Sequence, residues 1–284
     1  MYTNSRKRSD GHPPRALRLA AGIVMTAAAL VLFIVEKRRP LRAATQEEPL
    51  RTLRNLVLGA ASMAVVALLQ SPIVTPISQR VAKRRLGLAQ RLPLTEGMRD
   101  AAAFVLLDYT MYVWHVLTHK VPLLWRFHLV HHTDLDLDTT TALRFHAVDM
   151  ALSIPWRAAQ VRYCGASPRA LLLWQGFFFV SIMFHHSNLR LPAGFERRLM
   201  LLLTTPRMHG IHHSAVREDT DSNWSSGLSW WDWLHGTLRR DVPQQAITIG
   251  VPAYQDADEL DLEALAVLPF IRQRDAWQRT AKEA

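Results

Sequence analysis

The sequence predicts an all-α integral membrane protein with about four transmembrane helices, a re-entrant or short helix, and a histidine-rich helical cap at one membrane face. Three observations predict it. Residues 19 to 35 carry no charge for 17 positions and residues 55 to 79 none for 25, where a spanning helix needs roughly 20 apolar residues. Residues 170 to 189 form a third uncharged run, and residues 101 to 119 a fourth, interrupted only by Asp108 and its histidines. Eleven of the 13 histidines fall within residues 115 to 213, a window in which even spreading would place about four or five.

Composition sets limits on partners. The formal charge is +10, but the basic residues flank the apolar runs and form no aromatic-interleaved patch. Anionic lipid headgroups are therefore the expected partner, and nucleic acid is not. Cys164 is the single cysteine, which excludes an intrachain disulfide and a cysteine-based zinc site. Arginine outnumbers lysine 29 to 5, a bias of GC-rich bacterial genomes that points to a bacterial inner membrane.

The first helix follows Arg6, Lys7, Arg8, Arg15 and Arg18 and precedes "EKRRP". It is longer than the apolar part of a secretory signal and lacks a small-residue cleavage site, so it reads as a retained helix. A charged connector leads to the second helix, and residues 80 to 99 mix Arg and Lys with leucines as an interfacial helix does. Basic residues number five before the first helix, six between the first two, and six in residues 80 to 99. The positive-inside rule therefore assigns no orientation. Residues 1–100 are read as membrane helices and linker, 101–242 as the histidine-rich domain, and 243–284 as a soluble tail packing on its face.

Histidine placement constrains the topology further. His115 and His119 end the third helix, and His185 and His186 end the fourth. If they share one site, the chain crosses an even number of times between them, and only residues 147 to 163 are available for the extra crossing. That segment carries Arg157 and Arg162, so a short or re-entrant helix shielded by protein is expected.

The spacing of the histidines is that of ligands. His115 and His119 share a helix face. Two segments, "HLVHH" at residues 128–132 and "HGIHH" at 209–213, repeat His-x-x-His-His. On a helix, His131 lies about 60° to one side of His128 and His132 about 40° to the other. Such a fan, repeated by His209, His212 and His213, can serve two metal ions. Asp108, Tyr112, His115 and His119 form one polar stripe on a spanning helix, where ionisable groups are expensive and usually functional. Gln175 and His186 share a face in the fourth helix, which favours His186 over His185 as a ligand. His12 and His235 are isolated and are assigned no metal role. Imidazole-rich sites suit zinc, copper, iron or nickel. Ten histidines exceed the three or four ligands of a zinc site and would supply two ions with about five each.

The motifs "DYTMYVWHVLTH", "WRFHLVHH", "LRFHAVD", "FHHSNLRLP", "PRMHGIHHS", "DSNW" and "WWDWLHGT" resemble, in order and spacing, the fatty acid hydroxylase superfamily, particularly its bacterial sterol desaturase-like members. The resemblance covers roughly residues 20 to 250. It implies a membrane-bound, O2-dependent lipid hydroxylase or desaturase with a histidine-coordinated centre of two ferrous ions on the cytoplasmic face. Electrons would come from an external donor, a ferredoxin- or cytochrome-type protein, since the chain has no NAD(P)H or flavin fingerprint. Carried over by position, the ligands would be His115, His119, His128, His131, His132, His146, His186, His209, His212 and His213. This chain departs from the family where Asp149 stands in "FHAVD" in place of a glutamate, without the usual preceding proline, and where His185 precedes His186.

Asp108, Asp149, Asn188, Asn223 and Tyr112 are candidates for fixing imidazole orientation, with helix capping or packing as the ordinary reading of each. Trp230, Trp231 and Trp233 suit an interfacial anchor or the edge of a lipid entrance. Two competing classes remain. A histidine-lined metal transporter would need sequential sites along a path, and a membrane zinc hydrolase would need an H-E-x-x-H motif, which is absent.

Overall fold

The computed structural model describes residues 13–46 and 48–278; Arg6, Lys7, Arg8 and His12 lie outside them. Among the described residues the chain is helical, and extended pairing is limited to isolated bridges such as Pro40 with Leu189. The first helix, α1 (Arg15–Arg38), closes on Lys37 and Arg38, cations that complement the negative end of the helix dipole. Leu19, Ile23, Val24, Leu30, Val31 and Ile34 are exposed along it, as a lipid-facing surface requires.

The second long segment runs through α2 (Glu48–Val65), a π-helical turn (Val66–Gln70) and α3 (Ser71–Arg84). Pro72 has no N–H to continue the ladder. The Ser71 N–H bonds the Val66 carbonyl five residues back, and the helix passes the proline without breaking. The separate interfacial helix expected over residues 80 to 99 is not formed. Instead α3 continues to Arg84, the chain turns through Arg85 (φ 50°) and Gly87 (φ 83°), and the short α4 (Leu88–Arg91) follows. A Cβ on Gly87 would lie 2.5 Å from the Gly165 Cα, so two glycine turns cross here and tie the end of the bundle remote from the histidines.

The helix α5 (Glu96–Lys120) starts on a Thr95 cap and delivers His115 and His119 in its last turns. It is followed by α6 (Pro122–His132) and a 3₁₀ turn (Thr139–Leu143). Next comes α7 (Ala147–Cys164), an 18-residue helix about 27 Å long, where a short or re-entrant element was expected. It keeps its length because its charge is sheltered: the Arg157 guanidinium lies over the Trp174 and Phe178 rings. The chain then returns to the histidine face through α8 (Pro168–His186), capped by Ser167. Among the described residues three helices are long and apolar enough to cross a membrane, α1, residues Pro49–Arg91, and α5; α8, expected as a fourth, packs between α1 and α5. The chain is an integral membrane protein.

The cap is built from short helices: α9 (Ala193–Leu199), α10 (Pro206–His212), α11 (Arg217–Thr220), α12 (Trp230–His235) and α13 (Leu262–Val267). One apolar core joins α3, α5, α7 and α8 through Val74, Leu107, Met111, Val161 and Trp174. A second seats Leu265 and Leu268 against Leu129 and Val130 of α6, beneath the histidines.

Candidate metal centre

Four helices bring imidazoles to one place. His115, His119, His128 and His132 form one group and His131, His186, His209 and His213 another, each with ligand nitrogens within 4.8 Å of one another. His132, His212 and His213 make a third group that joins the two. Along α6, His128 and His132 turn to the first group and His131 to the second, the divergence that 3.6 residues per turn imposes on adjacent positions. In "HGIHH", His209 and His213 face the second group. His212 lies against His115, with ring centroids 4.5 Å apart.

In the second group the Nε2 atoms sit 3.1 Å (His131 to His186), 2.9 Å (His186 to His209) and 3.1 Å (His209 to His213) apart. Four lone-pair nitrogens this close repel one another unless a cation is shared among them. Nitrogens about 3 Å apart and at right angles about a common point lie about 2.1 Å from it, the length of a metal–imidazole bond.

The far side of several rings is held by acceptors. His115 Nδ1 meets the Trp224 carbonyl at 2.7 Å, His212 Nδ1 the Ser222 carbonyl at 2.9 Å and His186 Nδ1 the Ile182 carbonyl at 2.7 Å. His131 Nδ1 lies 3.3 Å from the Arg144 carbonyl and His128 Nδ1 3.4 Å from Asp149 Oδ2. A ring that donates through Nδ1 presents its Nε2 lone pair inward, which is the ligand tautomer. The Nε2 atoms of His119, His128, His132 and His212 are buried with no hydrogen-bond partner. Burial, reinforced by neighbouring imidazoles, lowers the pKa of His131, His132, His209 and His213 well below the ordinary value. Burial also lowers that of His212 to about 3. These five rings are therefore neutral at pH 7, the form that binds a metal, and the donor set fits two metal ions.

Of the histidines within residues 115 to 213, two fall outside these groups. His146, expected as a ligand, stands apart: its Nδ1 accepts from the Val148 N–H and its Nε2 lies 3.2 Å from the Ala266 carbonyl. Both nitrogens are engaged because His146 is the N-cap of α7. His185 is buried, with its ring centroid 4.0 Å from that of His209, and its Nδ1 has no partner.

Of the polar candidates, Asp149 reaches a ligand directly, through His128. Asn223 acts through its neighbours. It adopts φ 52°, its Nδ2 donates to the Met208 and Arg239 carbonyls, and its Oδ1 accepts from the Arg239 N–H. The adjacent Ser222 and Trp224 carbonyls thereby point at His212 and His115. Asp108 binds the Trp231 Nε1–H and the Leu228 N–H and anchors α12, touching no imidazole of the two groups. Tyr112 bonds the Thr237 hydroxyl and stacks on His235. Asn188 clamps Arg42 through both side-chain atoms, fastening the segment after α1 beside the end of α8.

Sequence reasoning missed the supports of the supports. Asp232 accepts from the Trp224 and Ser225 N–H groups and so holds the loop whose carbonyls orient His115 and His212. Asp134, two residues past His132, is gripped by Arg51 at 2.7 and 2.9 Å. Burial would raise its pKa, but Arg51 and Arg144 bring it to about 2. Arg144 also donates to the Val130 carbonyl at 2.9 Å. The "HHTD" sequence carried the signal for Asp134; nothing local identified Arg51 as its partner.

Residues 101–237 match the family model described as fatty acid hydroxylase. They form a fatty acid hydroxylase domain. The chain is similar to ornithine lipid hydroxylase OlsE of Rhizobium tropici, 32% identical over 52% of this chain and 44% of that protein. It is also similar to alkylglycerol monooxygenase of Homo sapiens, 29% identical over 49% of this chain and 30% of that protein. A cholesterol 25-hydroxylase-like protein of Danio rerio is 32% identical over 49% of this chain and 54% of its own length. The chain thus spans about a third to a half of the length of the curated relatives it matches. No solved structure matches it. Every histidine of the two groups lies inside the fatty acid hydroxylase domain, whereas Arg51, which steadies Asp134, comes from outside it.

Proposed function

We propose that this chain is a membrane-bound di-iron oxygenase that hydroxylates or desaturates a lipid C–H bond with O2. Its electrons come from a separate donor protein, of ferredoxin or cytochrome type. The observation that carries the reading is the junction of the two histidine groups with an apolar cavity of about 160 Å³, bordered by His115, His128, His131, His186 and His209 on one side and by Met63, Trp114, Phe178 and Ile182 on another. Iron bound there would supply O2 activation, the chemistry needed to attack an unactivated C–H bond. The protein's part is to hold neutral imidazoles in ligand orientation, to admit an acyl or sterol-like chain along the apolar wall, and to keep water from the reacting carbon. The names of the relatives, which act on an ornithine lipid, alkylglycerols and cholesterol, support a lipid substrate. We place the protein in a bacterial inner membrane with the metal centre at the cytoplasmic face.

The transporter alternative has no support, because the histidines converge at one point and do not step along a path. The test is metal analysis of the purified chain together with lipid profiling of cells that express it. Two irons per chain and a lipid product 16 mass units heavier or 2 units lighter, formed only in the presence of O2, are expected. Zinc in place of iron, or unchanged lipids in cells with a competent electron donor, would overturn the reading.

A further inference from the structure

Within that cavity stands a positive charge with no ion-pair partner; the one carboxylate that also borders it, Asp149, lies against His128. Arg157 borders it together with His115, His128 and His186, about midway along α7. Its Nη1 contacts Met111 Sδ at 2.6 Å and Gln160 Oε1 at 3.3 Å, and its guanidinium lies 5.2 Å from the Trp174 ring and 5.4 Å from that of Phe178. Among the described residues no carboxylate forms an ion pair with it, whereas buried Arg51 has Asp134 and Asp138. Among the described residues its hydrogen-bond partners are met by Nη1 alone, which leaves the Nε–Nη2 edge of the fork, the edge that takes a carboxylate or phosphate with two bonds.

Placement sharpens the point. Met111 precedes His115 by one helical turn, so the guanidinium lies roughly 6 Å along the helix axis from the first histidine group. Arg157 is ten residues from the start of its helix and seven from its end, which sets it away from both ends, where long cationic side chains ordinarily reach water. The aromatic faces offset part of the burial cost, yet neither brings negative charge. An unpaired cation midway along a helix of an integral membrane protein, bordering a pocket that opens on the two histidine groups, marks a candidate functional position.

We propose that Arg157 binds an anionic oxygen group of the lipid substrate, a carboxylate or a phosphate, and thereby sets which carbon lies at the histidine groups. The inference rests on the oxygenase reading for the identity of the bound molecule as substrate, but lipid binding can be measured without turnover. In the low dielectric of the cavity the ion pair is strong, and the planar fork fixes the orientation of the lipid as well as its presence. Neutral lipids of the same chain length would enter the cavity and gain nothing from the arginine.

The test uses the purified full chain in detergent micelles with iron removed. Quenching of tryptophan fluorescence is titrated with 9,10-dibromostearate, its methyl ester, and a phosphatidic acid bearing the same brominated chains; Trp114 lines the cavity and reports occupancy. In the unaltered protein at least one anion is expected to bind tenfold or more tightly than the ester. The arm that responds tells a carboxylate from a phosphate source. In Arg157→Gln that advantage disappears while ester binding stays within twofold. Arg157→Lys keeps a charge but not the fork, so it is expected to retain part of the advantage, and it serves if the glutamine variant does not fold. Equal affinity for anion and ester in the unaltered protein would overturn the proposal. So would loss of ester and anion binding together in a folded Arg157→Gln, which marks a purely structural role. Absence of turnover would defeat the oxygenase reading and leave these titrations standing.

Discussion

Replacing Asn223 with alanine tests how the backbone aims the ligands. The side chain makes three hydrogen bonds, at 2.9, 2.8 and 2.9 Å, to Met208 and Arg239, each contributing about 1 kcal/mol. Alanine at φ 52° adds about 1 kcal/mol of left-handed strain that asparagine tolerates better. The sum is about 4 kcal/mol, which for a chain of this size lowers Tm by roughly 10 °C. Release of the loop also withdraws the Ser222 and Trp224 carbonyls from His212 and His115, and loss of such orienting partners weakens metal affinity by about 10- to 100-fold. The assay is thermal unfolding in detergent paired with iron retention against a chelator. Asn223→Gly loses the same bonds without the strain, so it is expected to be less destabilised than alanine by about 1 kcal/mol. Wild-type Tm and iron retention in both variants would refute the account, and so would glycine faring worse than alanine.

Further predictions follow from the same geometry. His186→Ala is expected to empty the second ion position, halving iron per chain in elemental analysis, whereas His146→Ala keeps both irons and lowers Tm alone, since His146 caps α7. Gly87→Ala meets Gly165 at 2.5 Å with φ at +83° and should cost about 2–4 kcal/mol, read as lost thermal stability with unchanged iron stoichiometry. In metal-free protein, His212 has a folded pKa of about 3 against about 6.5 when unfolded. Below pH 6.5 the unfolded chain binds the extra proton, so the group's contribution is whole above that pH and lost as pH falls toward 3, at up to about 1.4 kcal/mol per pH unit. Apo-protein Tm measured from pH 7.5 to 5 should fall steeply, and iron-loaded protein should resist until the metal leaves; a flat apo profile would refute neutral burial.

Much of the site could be read in the chain because helices impose local geometry. His115 and His119 had to share a face, and His131 had to diverge from His132, whatever the surroundings. The apolar runs likewise marked α1, α2 to α3, and α5, since burial in lipid demands uncharged length. Residues 147 to 163 form the protein-sheltered helix expected between the third and fourth apolar runs, but what shelters Arg157 could not be read locally. The Trp174 and Phe178 rings that shelter Arg157 come from a different helix. His146 stands apart from the two groups for a related reason: its position in a motif resembles a ligand's, while its two nitrogens meet a helix start and the Ala266 carbonyl 120 residues on.

Periodicity, charge and histidine spacing by themselves determined a helical membrane protein whose imidazoles fan to two sides of their helices. Only the tertiary structure decided which imidazoles gather into which group, that the Ser222 and Trp224 carbonyls face His212 and His115, and that an unpaired arginine borders their cavity. The division has a physical cause. Turn geometry and hydropathy act within a few residues, whereas metal grouping, hydrogen-bond orientation and charge pairing depend on distances of a few ångströms between segments up to about 200 positions apart, which no local pattern encodes.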